Sequence, residues 1–211
     1  MERTEEKGQG RLRPARRRQR GALKPPARGD ERSEKECSVL DCDNAFWRFS
    51  LAVYAQPGVG AECLALQGAL DIDVNVLLFC AWLGAERKLV LGDEALAAID
   101  AGVLGWHESV VRPLRAVRQT MKPMPEMADE AVKALRKEVA AVELRAEQIE
   151  QARLFEMADT VAHGATVEVG DAVEANVAAF LRRHAKGAES PSPPRLLIAA
   201  AAAYRPDPQR L

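Results

Sequence analysis

A chain of 211 residues with a formal net charge of −1 and 47% hydrophobic residues is long enough for one domain with a real core, and too evenly charged to be a general nucleic-acid binder. The balance hides an asymmetry, since residues 1–28 carry +7 and residues 29–211 carry −8, so nucleic acid or anionic lipid could be met only through the basic start. Cys37, Cys42, Cys63 and Cys80 make no C-x-x-C pair, which gives no zinc or redox motif, and no apolar run reaches the roughly 20 residues of a membrane span.

Residues 1–36 are charged, broken by Gly and Pro and without apolar periodicity, so they are expected to be a disordered basic tail. They hold no apolar signal core, and with the cysteine usage this points to a cytoplasmic protein with reduced thiols. A helical domain is expected over 37–186. Asp41 and Asp43 offer caps for a first helix, in which Phe46, Phe49, Val53 and Tyr54 recur at helical spacing. Pro57 suits the first turn of a second helix, Pro57 to Gln67, with Val59, Cys63, Leu64 and Leu66 inward and Gly68 as its end.

The densest apolar stretch is Leu70–Gly84, LDIDVNVLLFCAWLG. Asp71 or Asp73 can cap a helix there, Leu, Phe, Ala and Trp outnumber β-branched residues after Val76, and Gly84 reads as a stop. A helix apolar on every side must be covered on every side, so the others should pack around residues 73–83.

Asp93 caps the next segment, in which Leu96 and Ile99 face inward and Gly102 and Gly105 could interrupt. From Trp106 the series Val110, Leu114, Val117, Met121 keeps a three-to-four repeat, but Pro113 removes a backbone hydrogen bond and predicts a kink or break near Val110. After the stop at Lys122–Pro125, Ala128, Val132, Leu135, Val139, Val142, Ala146 and Ile149 trace the seam of a long amphipathic helix, about Glu126 to Met157. Gly164–Gly170 reads as a short loop and Asp171–Ala185 as a last helix. Residues 187–211 read as a Pro-rich linker and an apolar Ala-rich end, with mobility expected after Gly187 and a short docking helix as the alternative. The fold class is therefore all-α: a bundle of five to seven helices around a buried central one.

The strings FWRFSLAVYAQPGV, CLALQ, DVNVLLFCAWLG, WHESVVRPLRAVR and VELRAEQIE resemble a family of small, uncharacterised bacterial proteins of unknown function, over about residues 43–155. That resemblance implies no activity, cofactor or catalytic residue.

Arg115, Arg118 and Lys122 share about a 60° arc of a helix, with Arg112 nearby, and could bind a phosphate or carboxylate against an apolar wall at Trp106. The competing reading is a solvated face, or one tied to Glu143 and Glu147. Asp71, Asp73 and Asn75 suggest Mg²⁺ but read better as caps, so no metal and no cofactor is expected. His107, His163 and His184 are scattered, and His107 reads as a lone surface histidine. With no nucleotide, protease or hydrolase motif, the preferred function is a non-enzymatic adaptor whose 126–157 helix docks onto a second copy or a protein partner. The alternative is an anion-binding protein or enzyme using Trp106, Arg112, Arg115 and Arg118.

Overall fold

The computed structural model describes residues 40–161, 164–185 and 192–206. These form α1 (Ala45–Tyr54), α2 (Val59–Leu70), α3 (Val74–Arg87), α4 (Asp93–Trp106), α5 (Arg112–Met121), α6 (Glu130–Val161), α7 (Val169–His184) and α8 (Arg195–Ala203), so the chain is all-α as its periodicity predicts. A π-helical turn, His107–Val111, joins α4 to α5 without a break, so helix is continuous from Asp93 to Met121. Between α3 and α4 the chain makes an isolated antiparallel bridge, Leu89 to Thr166. Among the described residues no helix is long and apolar enough to cross a membrane. The expected disorder of residues 1–36 lies outside the described residues, as does His163.

The centre is α3, whose residues Asn75 to Gly84 are all buried. Asp73 keeps an extended backbone before it, and its Oδ1 accepts from the Asn75 amide at 2.8 Å, a side-chain cap on the first turn. Helix α7 lies along α3, and α1, α2, α6 and α8 cover its other sides. Phe46 of α1 meets Phe79 edge-on with centroids 5.1 Å apart, and Trp82 lies 5.7 Å from Phe79. Gly84 does not stop the helix. It lies inside α3, which runs on to Arg87 and ends where Lys88 turns left-handed at φ 55°.

Other boundaries moved for local reasons. Asn44, rather than an aspartate, caps α1: its Oδ1 accepts from the Trp47 amide and its Nδ2 donates to the Asp41 carbonyl. Gly58, at φ 84°, supplies the left-handed turn before α2, which passes through Gly68 and ends at Asp71, φ 53°. Leu64, expected inward, is 59% exposed, because α2 is apolar almost all round and only one side meets neighbours. Pro113 does not break the helix. The Arg112 amide reaches back five residues to the His107 carbonyl, and this wider turn accommodates the proline one residue on.

Helix α6 follows its expected seam only in part, with Ala146 buried as the pattern predicts. Glu143, Ala146, Glu150 and Gln151 are buried, whereas the seam residues Leu135 and Val142 are 52% and 54% exposed. The middle of its inward face is polar, opposite Asn75, His107, Arg115 and Arg118, whereas its last turns bury Ala152, Leu154, Ala158 and Val161. The Ala-rich end takes the docking alternative in place of a mobile one: Leu197 and Ala201 of α8 are buried against the bundle. Residues 186–191, with the first two residues of the Pro-rich linker, lie outside the described residues.

Candidate functional site

Helices α1, α2, α5 and α6 enclose a groove of about 480 Å³ whose floor is the start of α3. Its rim carries Leu51, Tyr54, Leu64 and Leu144, all exposed, so the mouth is apolar. Its depth is polar. Arg115, Arg118 and Arg136 line it with Glu143 and Glu147, and Ser50, Asn75 and Gln151 complete the floor.

Three arginines against two glutamates leave the lining net cationic. Arg115 donates to Glu143 at 3.2 Å and to Glu147 at 2.5 Å, while Arg118 holds both oxygens of Glu143. Burial pushes the Glu143 carboxyl up, but the hydrogen bonds and charges of Arg118 and Arg115 outweigh it and hold it below the ordinary range. For Glu147 burial wins, and its carboxyl sits above the ordinary range despite Arg115. Three buried lining atoms have no hydrogen-bond partner: Ser50 Oγ, Gln151 Oε1 and Arg136 Nε.

A hydrogen-bonded chain runs from this floor into the bundle. Gln151 Nε2 donates to Asn75 Oδ1 at 2.8 Å, and Asn75 Nδ2 donates to Glu150 Oε2 at 2.6 Å. The other Glu150 oxygen lies 3.1 Å from His107 Nδ1, and that nitrogen also stands 2.9 Å from Asp73 Oδ2. His107 is therefore not a lone surface histidine. The π turn points it inward, and it is buried between two carboxylates. Burial would lower its pKa, but Asp73 and Glu150 raise it to about 10. Burial lifts the Glu150 carboxyl, against the pull of His107. Asp73, His107 and Glu150 are also the donor set that could hold a metal, each offering one ligand atom within 4.8 Å of the others.

Of the four residues singled out in the sequence, the groove brings together Arg115 and Arg118. Arg112 points elsewhere, exposed and bonded to Glu108 and Asp71. Trp106 forms no wall of the groove; its Nε1 donates to the Ala146 carbonyl at 3.0 Å and Arg153 covers its ring. Arg136, Ser50 and Gln151 were missed. Nothing in the local pattern marks them, because Ser50 sits within an apolar stripe and Arg136 beside a seam.

A family described as a protein of unknown function (DUF2390) matches residues 45–154. The chain belongs to that family. The DUF2390 segment runs from α1 to beyond the middle of α6 and contains every groove and relay residue named above. No curated protein and no solved structure matches the chain.

Proposed function

We propose that the groove binds a small molecule that joins an anionic group to an apolar portion. The observation that supports this is the set of three unpartnered buried atoms, Ser50 Oγ, Gln151 Oε1 and Arg136 Nε, lining one cavity. A buried polar group left unsatisfied costs about 1–3 kcal/mol, so a ligand that completes these bonds gains what the free protein lacks. A volume of 480 Å³ suits a metabolite-sized molecule.

The chemistry divides by residue. Arg136 offers guanidinium hydrogens to an acceptor, while Arg115 and Arg118 are already engaged by Glu143 and Glu147, so the anion belongs at Arg136. Gln151 Oε1 takes a donor, Ser50 either, and Leu51, Leu64 and Leu144 hold the apolar part. Thermal-shift screening of carboxylated and phosphorylated metabolites tests this with the wild type and Arg136→Ala. A ligand present at 100 times its Kd stabilises by about 2.7 kcal/mol. If no anion shifts the wild type, or the variant responds equally, the reading fails.

The adaptor reading keeps one specific support, the exposed Leu135 and Val142 on the outer face of α6, an apolar stripe suited to another helix. Sedimentation of the wild type against Val142→Glu tests it: self-association should be present in the first and lost in the second.

A further inference from the structure

Asp73 ends the loop before α3, His107 opens the π turn and Glu150 lies in α6. Their convergence on one point has a geometric oddity. His107 Nδ1 is 2.9 Å from one carboxylate oxygen and 3.1 Å from another, yet a single hydrogen on that nitrogen can be directed at only one of them. Asp73 Oδ2 is buried and, although it stands 2.9 Å from Nδ1, accepts no well-directed hydrogen bond. The remaining oxygens are committed, since Asp73 Oδ1 accepts from the Asn75 amide and Glu150 Oε2 from Asn75 Nδ2. Asn75 thus fixes both carboxylates and aims their other oxygens at Nδ1.

Charge points the same way. Two carboxylates face a single imidazole here, and a divalent cation can pair with both of them. A proton satisfies one acceptor, whereas a metal ion satisfies oxygens and nitrogen together. We infer that Asp73, His107 and Glu150 form a site for a divalent transition-metal ion, with Asn75 as the positioning residue behind both carboxylates. The two separations from Nδ1, 2.9 and 3.1 Å, are of the right size, because two ligands about 2.1 Å from an ion and at right angles are about 3.0 Å apart. One imidazole with two carboxylates suits Mn²⁺, Fe²⁺, Co²⁺ or Zn²⁺ better than Ca²⁺ or Mg²⁺, which favour all-oxygen sets, or a soft ion that favours sulfur. Binding requires Nδ1 to give up its proton. Three protein ligands leave further coordination positions open, and Asn75 and Gln151 link the site to the groove floor.

The test uses the full chain, stripped with a chelator and titrated with Mn²⁺ while electron paramagnetic resonance follows the free ion. The expected result is one equivalent bound, a raised melting temperature, and ¹⁴N coupling from one imidazole in the pulsed spectrum of the wild-type complex. Glu150→Gln, which keeps size and hydrogen bonding, and His107→Ala should abolish binding. Asn75→Ala should weaken it about 10- to 100-fold, and Asp159→Asn, an exposed carboxylate on α6, should leave it unchanged. Failure of the wild type to bind Mn²⁺, Co²⁺ or Zn²⁺ overturns the inference, as does equal binding by Glu150→Gln. The pulsed spectrum needs no variant, so its lack of nitrogen coupling is decisive even where a variant fails to fold.

Discussion

Gly84 of α3 and Val173 of α7 meet backbone to backbone: a β-carbon at residue 84 would stand 2.7 Å from the Val173 amide nitrogen and 2.8 Å from the Ala172 carbonyl carbon. No rotamer change relieves such a contact, because the obstructing atoms are main chain. Gly84→Ala gains about 1 kcal/mol of helix propensity, yet is expected to destabilise overall by about 1–3 kcal/mol through forced separation of the two helices. Urea unfolding of the variant checks this, and an equal or higher midpoint would show that α7 shifts freely.

That contact also marks where sequence reading stops. Glycine after an apolar run signals a helix end and a close helix crossing alike, and only the position of α7 distinguishes them. The helices themselves, the central place of Val74–Leu83 and the Asp73 cap were legible, because periodicity and capping are local properties. The orientation of α6 was not: its apolar seam suggested an inward Leu135 and Val142, while pairing of Glu143 with Arg115 and Arg118 turned the charged side in. Arg115 and Arg118 were visible as cations, but not that both are neutralised, nor that Arg136 from another helix completes their groove. His107 depended on partners 34 and 43 residues away.

The pairing around Glu143 makes stability depend on acid. Its folded carboxyl titrates below the ordinary value, outweighing a burial effect of opposite sign. A depressed carboxylate contributes stability above its unfolded pKa and loses it as pH falls through the folded one. Glu143→Gln is therefore expected to cost about 1–3 kcal/mol near neutrality, and to lose less stability than the wild type as pH falls below the normal carboxylate range. Melting temperatures of both proteins across that range measure it. Parallel curves would mean that the pair contributes nothing to the pH dependence.

Thiol chemistry should separate the cysteines by burial. Burial, with a smaller push from Glu62, lifts the Cys63 thiol to about 12, and burial raises Cys80 likewise. Neither carries appreciable thiolate near neutral pH, and the thiolate is the nucleophile. Alkylation with iodoacetamide followed by peptide mass spectrometry is expected to leave both unmodified in the native protein and to label both in urea. Rapid native labelling of Cys80 would show that α3 opens far more readily than its burial implies.

The docking of α8 rests on a cap from far along the chain. Pro194 precedes the helix and makes no side-chain cap, so the first amides of α8 need another acceptor. Glu62 of α2 supplies it: Oε1 accepts from the Leu196 amide at 3.2 Å and Oε2 from the Leu197 amide at 3.0 Å, which places a carboxylate on the positive end of the helix. The sequence left this segment undecided between a docking helix and a loose end because its cap lies 134 residues away from Leu196. Glu62→Ala should cost about 1–2 kcal/mol and should speed hydrogen exchange at Leu196 and Leu197 before it affects α3. Glu62→Gln keeps the acceptor and loses the charge, so it should fall between the two. If exchange across Arg195–Ala203 is the same in all three proteins, burial of Leu197 and Ala201 alone holds α8 in place.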